Sequence, residues 1–283
     1  MTLKSCIICN QNNNKQLYEG IVKCSNCKHV FANLELSDLD YKALYTKDYF
    51  HGNEYSDYVS DKKILQKNFL DRLLILKKMK YYKFNSRLLE IGSAYGFFLE
   101  IAKNYFSHVE GIDITNEGIN FAKQNLNLKV KNIDFLKWDT KNYKWDIICL
   151  WDTIEHLERP DLFIKKANKS LNKNGLITIT TGDISSWLAR FRGRKWRLIH
   201  PPTHVHYFSK KTLTLLLANE GFEVIYFGYP GFYRSFDNIF YNIFVLRLKQ
   251  DWIYNLIKFF KFDKLSIYFN TFDISYVIAK KIS

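Results

Sequence analysis

The chain has 283 residues, of which 47% are hydrophobic and 25% charged, so it is long and apolar enough to bury a substantial core. Its longest apolar stretches, such as Ile239 to Leu246, fall well short of the ~20 residues that span a bilayer, which argues against a transmembrane helix. The net charge of +14 favours anionic partners, but the lysines are spread along the whole chain and do not form one basic stripe.

The N-terminal part carries four of the five cysteines in two C-x-x-C pairs separated by fourteen residues: Cys6, Cys9, Cys24 and Cys27. This spacing can bring four thiolates round one tetrahedral Zn²⁺, which predicts a structural zinc module over residues 1–36. His29 is a competing ligand. The polar start, Met1 to Asn14, does not resemble an export signal, so we expect a cytoplasmic protein with reduced thiols.

Residues 37–84 connect this module to the rest of the chain. Leu34 to Tyr58 is rich in Asp and Tyr, and is either a surface connector or a lid over an active site. Lys62 to Tyr81 has apolar residues at helical spacing, which predicts an amphipathic helix packed on a sheet.

The stretch from Arg87 to Asp113 has the pattern of a βαβ unit. Arg87 to Ile91 and His108 to Ile112 are apolar runs suited to buried parallel strands, and Phe97 to Phe106 repeats apolar residues at helical spacing. Asp113 ends the second strand, where its two oxygens can accept both hydroxyls of a ribose. The unit therefore predicts a site for a nucleoside cofactor.

The loop of this unit distinguishes between two classes of cofactor. Gly92-x-Ala94-x-Gly96 departs from the G-x-G-x-x-G loop that binds the pyrophosphate of dinucleotides, and Glu90 beside it would repel phosphate. A carboxylate suits a cationic ligand, such as the ammonium and sulfonium of S-adenosylmethionine.

In these residues and in the order of the elements from Arg87 to Lys281, the chain resembles the class I S-adenosylmethionine-dependent methyltransferases, especially a bacterial group with an N-terminal four-cysteine module. The resemblance implies an α/β, Rossmann-like sheet of seven mostly parallel strands, the last one antiparallel. It implies a catalytic domain over residues 85–283, with a substrate insertion at 182–210 and an apolar C-terminal insertion at 230–272.

The resemblance also implies which residues bind the cofactor. The methionine part would lie on the first-strand acid and loop, the ribose on the acid of VEGIDIT, and the adenine on NIDFL, which gives Glu90, Gly92, Ala94, Gly96, Asp113, Ile114, Asp134 and Phe135. The wider family usually has Gly where this chain has Ala94. An alanine is acceptable there if that position keeps a negative φ.

WDIICLWDTIEHL, from Trp145 to Leu157, matches the fourth strand and the loop after it. Trp151 is expected to be a wall of the cofactor pocket, and Cys149 a small core residue. The D-x-x-E-H spacing of Asp152, Glu155 and His156 leaves two alternatives open. These side chains could bind a divalent metal that orients a substrate hydroxyl, or they could only fix the strand end.

The fifth predicted strand is Leu176 to Thr181, and the segment that follows it is the expected substrate region. Ligands bind at the carboxyl ends of strands in open α/β sheets. Transfer to a hydroxyl needs a base, and imidazole has a suitable pKa. His204 is the first candidate base and His206 the second. The alternative for each of them is a structural role, in which the ring hydrogen-bonds to the backbone of a proline-rich turn. The arginines Arg190, Arg192 and Arg194 could bind a phosphate or could form a solvated face.

The C-terminal insertion is dense in aromatic and aliphatic residues with interspersed lysines. Trp252 to Lys264 resembles a helix that lies on a membrane surface, but packing in the core or against a second copy is the favoured interpretation.

Together these patterns predict a methyltransferase with structural zinc. The resemblance implies that its acceptor is a sugar, a nucleotide-linked sugar or a related small anionic metabolite and, by analogy, that it acts in the synthesis of a bacterial surface polysaccharide. An oxygen acceptor is favoured over carbon. An RNA-binding methyltransferase with a zinc module, and a binding protein without enzymatic activity, are the other interpretations.

Overall fold

The computed structural model describes residues 5–34, 58–80, 82–259 and 265–282. Its first sheet is antiparallel and contains β1 (Asn14–Tyr18), β2 (Ile21–Cys24) and β3 (Val30–Ala32). A distant strand, β9 (His206–Tyr207), pairs with β3 and completes this four-stranded sheet. The N-terminal module therefore shares a sheet with the predicted substrate region.

The main sheet has seven strands within the described residues: β4 (Arg87–Ile91), β5 (His108–Asp113), β6 (Val130–Asn132), β7 (Trp145–Trp151), β8 (Leu171–Gly182), β10 (Phe222–Gly228) and β13 (Ile274–Lys281). Their order across the sheet is β10-β13-β8-β7-β4-β5-β6. β13 runs antiparallel to both of its neighbours, while the pairs from β8 to β6 are parallel. The predicted seven-stranded sheet with an antiparallel last strand is confirmed.

The helices are α1 (Lys62–Lys78), α2 (Phe97–Ala102), α3 (Asn116–Leu126), α4 (Pro160–Ser170), α5 (Trp187–Arg192), α6 (Lys210–Asn219), α7 (Phe236–Phe240) and α8 (Asp251–Phe259). α2 ends before Phe106, where the sequence pattern had predicted its end. Alternate residues of the central strand β4 contact opposite layers: Leu89 and Ile91 belong to one hydrophobic core and Leu88 to the other. The sheet is thus covered on both faces, as its apolar strands require.

The strand order reverses at β4, whose neighbours are β5 on one side and β7 on the other. Loops that leave adjacent parallel strands in opposite directions open a crevice at the carboxyl edge of the sheet, and ligands bind there in doubly wound folds. The segments that begin at Gly92, Ile114 and Asp152 all start at this edge.

The predicted connector or lid lies largely outside the described residues, because 35–57 are not among them. At its end, Tyr58 is buried and stacks on Phe97, with ring centroids 5.3 Å apart. The predicted helix after it is confirmed as α1, which ends at Lys78.

The C-terminal insertion contains a two-stranded sheet, β11 (Phe232–Ser235) with β12 (Ser266–Phe269), and the helix α8. Tyr254 of α8 is buried, whereas Trp252, Leu256 and Phe259 are 67%, 49% and 78% exposed. These three side chains therefore do not pack in the core formed by the described residues. Within those residues, each helix is too short or too polar to span a membrane.

Candidate active site and candidate metal centre

A cavity of about 1420 Å³ lies at the carboxyl edge of the main sheet. It is lined by the loops that follow β4, β5 and β7 and, on another side, by residues of the segments 197–204 and 230–235. Sites for a single small ligand usually measure roughly 300–1,000 Å³, so this cavity has room for a cofactor and a second molecule together.

The loop after β4 is shaped by residues with positive φ. At Gly92, φ is +78° and a Cβ would lie 2.6 Å from the hydroxyl oxygen of Thr153, so only glycine fits. Ala94 also has a positive φ, +43°, so the condition of a negative φ is not met at this position. This conformation directs the N–H of Ala94 at the carboxylate of Asp113, with a nitrogen–oxygen distance of 2.8 Å.

Asp113 is held firmly where β5 ends. Its Oδ1 accepts hydrogen bonds from the backbone N–H and the hydroxyl of Thr115, at 2.8 and 2.7 Å, and its Oδ2 accepts the bond from Ala94. A carboxylate has about four acceptor positions. Three are in use, so the carboxylate has about one left for a ligand hydroxyl instead of the two expected from the sequence.

Glu90 lies beneath this loop and is only 3% exposed. Among the described residues, its Oε2 has no hydrogen-bond partner. Burial, and to a lesser extent the negative charge of Asp113, raises the pKa of Glu90 well above its usual range. A cation bound at the loop would compensate both effects, which fits the ammonium or sulfonium of S-adenosylmethionine.

Most of the predicted cofactor residues come together around the cavity. Seven line it: Gly92, Ala94, Asp113, Ile114, Asp134, Phe135 and Trp151. Two do not: Glu90 is underneath the loop, and Gly96 starts α2 with a φ of +76°. Asp134 accepts a backbone bond from Leu136 at 2.8 Å, which fixes the turn after β6.

Asp152, at the end of β7, is tied to neighbours in the protein. Its Oδ1 accepts a bond from the Thr180 hydroxyl at 2.9 Å, and its Oδ2 forms an ion pair with Arg72 at 3.2 Å. The guanidinium of Arg72 also lies over the ring of Trp151, 5.6 Å from the centroid. Asp152 is therefore not grouped with Glu155 and His156, as the metal interpretation of D-x-x-E-H had proposed.

His204 takes that place beside Glu155 and His156. One ring nitrogen of each histidine and one oxygen of Glu155 all lie within 4.8 Å of one another, a spacing that could also hold a metal ion. The Nδ1 atoms of His156 and His204 each bond to a carbonyl oxygen, of Thr203 and Leu198 respectively, at 2.9 Å. Since a carbonyl only accepts, Nδ1 carries the proton and the ring lone pair is on Nε2.

Burial sets the protonation of this group. It lowers the pKa of His156 to about 4 and that of His204 well below its usual value. It raises the pKa of Glu155 to about 8, with a further contribution from the charge of Asp152. Both histidines are therefore neutral near pH 7, and all three side chains line the cavity.

His206 lies elsewhere, between the N-terminal module and the main domain. It is 5% exposed, its Nδ1 is 3.0 Å from Nε2 of His29, and its Nε2 is 3.2 Å from the carbonyl oxygen of Glu158. It is not among the residues that line the large cavity. This position suits a structural contact between two parts of the chain better than a base.

The four N-terminal cysteines converge as predicted. Cys6 and Cys27 have their sulfurs 3.5 Å apart, as do Cys9 and Cys24, and all four sulfurs lie within 4.8 Å of one another. A tetrahedral zinc with bonds of about 2.3 Å has sulfurs about 3.8 Å apart, so the group has the size of a zinc site. His29 is not part of it.

Each C-x-x-C pair forms its turn in the same way. The residue after the second cysteine, Asn10 or Lys28, has a positive φ. Its N–H donates to the carbonyl oxygen of the first cysteine, at 2.8 Å for Asn10 and 3.1 Å for Lys28. This turn directs both thiols of each pair to the same point.

Three arginines that line the cavity were not predicted from the sequence: Arg72, Arg197 and Arg234. The sequence pattern instead pointed to Arg190, Arg192 and Arg194, which are exposed and do not line the cavity. Arg197 could have been considered, because it stands in the same insertion. No motif in the sequence marked Arg234 as a site residue, since its strand lies in a segment rich in aromatic residues.

Comparison with known proteins gives a consistent result. A family model described as a methyltransferase domain matches residues 62–226. A search of curated proteins found no significant match.

Three solved structures of similar fold illustrate the likeness. A SAM-dependent methyltransferase from Archaeoglobus fulgidus is 19% identical with a TM-score of 0.53, over 79% of this chain and 99% of its own. The N-methyltransferase NodS from Bradyrhizobium japonicum, solved with S-adenosylhomocysteine, is 15% identical with a TM-score of 0.53, over 86% and 98%. The [4+2]-cyclase SpnF is 15% identical with a TM-score of 0.50, over 77% and 80%. At these identities the likeness shows the fold alone.

Proposed function

The chain belongs to the methyltransferase domain family, whose model matches more than half of it, and we propose that it transfers a methyl group from S-adenosylmethionine to a hydroxyl of a sugar or related small anionic metabolite. The observation that carries the proposal is the joint position of Asp113 and His204 in one large cavity. A nucleoside-binding acid and a neutral imidazole then face the same space.

The residues at the carboxyl edge of β4 and β5 fit S-adenosylmethionine. The Asp113 carboxylate would accept a ribose hydroxyl, and the Asp134 and Phe135 turn would hold the adenine. The unpartnered oxygen of Glu90 would favour the cationic methionine end. NodS, which has the same fold, was solved with S-adenosylhomocysteine, and this supports the choice of ligand.

The bound sulfonium supplies an already activated methyl group, so the protein has mainly to align, to exclude water and to accept a proton. Trp151 and Phe135 are apolar walls that exclude water from the cofactor side. His204, whose Nδ1–H is fixed on a carbonyl, would receive the acceptor's proton at Nε2. His206 would have a structural role.

The module at residues 5–34 would hold one structural Zn²⁺ in Cys6, Cys9, Cys24 and Cys27, because four sulfurs fill the coordination sphere and leave no position open for chemistry. We place the reaction in the cytoplasm, where such thiols remain reduced. By analogy, we also place it in the synthesis of a surface polysaccharide.

The first test is calorimetric titration with S-adenosylmethionine and S-adenosylhomocysteine. Wild-type protein should bind both with micromolar affinity, and Asp113→Ala should lose at least tenfold in affinity. Asp139→Ala is the matched control, because Asp139 also accepts a backbone bond from the residue two positions later but is exposed and outside the cavity. If the wild type binds neither ligand, the methyltransferase proposal fails.

The second test identifies the acceptor. A panel of sugars, sugar phosphates and nucleotide-linked sugars is incubated with labelled S-adenosylmethionine, and the methylated product is located by NMR. A methyl group on oxygen supports the role of His204 as written. A methyl group on carbon would contradict the hydroxyl acceptor.

A further inference from the structure

Two arginines lie near one aromatic ring in the wall of the cavity. Phe232 and Arg234 are two residues apart on β11, so they lie on the same face of the small sheet. The guanidinium carbon of Arg234 is 5.9 Å from the centroid of Phe232, and that of Arg197 is 5.7 Å from it. All three residues line the cavity that contains Asp113 and His204.

Arg197 is held in position by a buried carboxylate. Its Nη2 donates to Oδ1 of Asp273 at 2.9 Å, and the indole N–H of Trp196 donates to Oδ2 at 2.8 Å. Asp273 is fully buried. Within the described residues, the bond to Oδ1 of Asp273 is the one side-chain hydrogen bond that Arg197 donates. Most of its five N–H donors can therefore bind a ligand.

The strand that carries Arg234 is also held rigidly. The side chain of Asn68 on α1 brackets the backbone of Tyr233, donating to its carbonyl oxygen at 3.0 Å and accepting from its N–H at 2.6 Å. The Ser235 hydroxyl donates to Asp61 at 2.8 Å. Strand β11 is therefore fixed on the helix that forms another wall of the cavity, so the backbone that carries Arg234 is held in place before a ligand binds.

From this arrangement we propose that Arg197 and Arg234, backed by Phe232, form the subsite for a phosphate group of the methyl acceptor. The inference rests on the proposed function and specifies its substrate class as a sugar that carries a phosphate or diphosphate ester. A guanidinium presents paired donors to phosphate oxygens, and a single carboxylate would need only one such fork. Two guanidinium groups near the ring of Phe232 suit a ligand group with several oxygens and more than one negative charge.

The test is titration with pyrophosphate of protein saturated with S-adenosylhomocysteine. Wild type should bind pyrophosphate without displacing the nucleoside. Arg234→Gln should weaken pyrophosphate binding by tenfold or more, and Arg234→Lys should weaken it less, because lysine keeps the charge without the fork. Arg190→Gln is the matched control, since Arg190 is exposed and outside the cavity. Arg197→Gln is secondary, because it would leave Asp273 buried without its cation.

S-adenosylhomocysteine affinity separates the two proposals. If it stays normal in every variant while pyrophosphate binding falls only in the cavity variants, both proposals are supported. If the wild type binds S-adenosylhomocysteine but not pyrophosphate, or if Arg190→Gln weakens pyrophosphate as much as Arg234→Gln does, the subsite is wrong and the cofactor site stands. Further titrations with a hexose 1-phosphate, a nucleoside diphosphate hexose and a polyprenyl diphosphate hexose then show which source of the phosphate binds most tightly.

Discussion

The rings of His204 and His156 pack in a T-shaped arrangement, with centroids 4.5 Å apart and planes at 86°. His200 lies on it as well, with centroids 3.8 Å apart. His156 belongs to the turn after β7, whereas His204 belongs to the substrate insertion, so the contact joins two sides of the cavity. Nδ1 of His156 and Nδ1 of His204 each bond to a backbone carbonyl oxygen, so the orientation of His204 is set before any ligand binds.

His204→Gln should reduce kcat by about 10²–10⁴-fold, because the acceptor proton would lose its base. The affinity for S-adenosylhomocysteine should change less than twofold, and both quantities are measured on the same preparation. His206→Gln is the comparison: it should lower thermal stability while the folded enzyme keeps its kcat. A large loss of kcat in a stable His206→Gln enzyme would reverse the assignment.

The pH dependence of kcat/KM gives an independent check on the same residue. Burial lowers the pKa of His204, so the neutral imidazole that can accept a proton is present at neutral pH and is lost only when the pH falls through that lowered pKa. The acid limb of the profile should therefore lie below pH 6.5. An acid limb at or above pH 6.5 that disappears in His204→Gln would show that burial does not lower the pKa of this imidazole.

Ala94→Gly should stabilise the protein by about 0.5–1 kcal/mol, because an alanine with φ near +43° is in a conformation that glycine adopts without steric cost. Urea unfolding at equilibrium measures the change. Ala122→Gly is the matched control: Ala122 is inside helix α3, so the same substitution should destabilise by about 1 kcal/mol. Equal losses in both variants would mean that the positive φ of Ala94 is not strained.

The sequence predicted the main sheet well because its strands are short apolar runs separated by helices, and Arg87 to Ile91 is a strand with the predicted bounds. It also predicted the cysteine cluster, since C-x-x-C spacing is a local property. It could not predict that β9 pairs with β3, because Val30 and Tyr207 meet only through tertiary folding. For the same reason the sequence could not show that His204 and His206 lie in different surroundings. His204 lines the cavity, whereas His206, two positions later, contacts His29 of the N-terminal module.

Cys24→Ser should remove bound zinc and also reduce activity, because β3 of the module pairs with β9, close to His204 in the chain. Elemental analysis should find one zinc per chain in the wild type and much less in the variant. Cys149→Ala is the control, since Cys149 is buried in β7 and lies outside the cluster, and this variant should keep its zinc.

A second equivalent of metal that is lost in Glu155→Gln would instead identify the Glu155, His156 and His204 group as a metal site and contradict His204 as the base.

Glu90→Gln should make the ligand-free protein more stable at neutral pH and weaken its binding of S-adenosylmethionine. The folded-state pKa of Glu90 is raised, so the unfolded chain releases this proton first as pH rises. The wild type therefore loses free energy of unfolding from about pH 4.5 upward until the folded pKa is passed, and the glutamine variant lacks this loss. Thermal unfolding from pH 4 to pH 8 should show the stabilities of the two proteins diverging with pH.

Glu110→Gln, which removes a carboxylate paired with Arg87 on the neighbouring strand, is the control. If Glu90→Gln is less stable than the wild type across the whole range, the buried carboxyl has a partner that stabilises its charge.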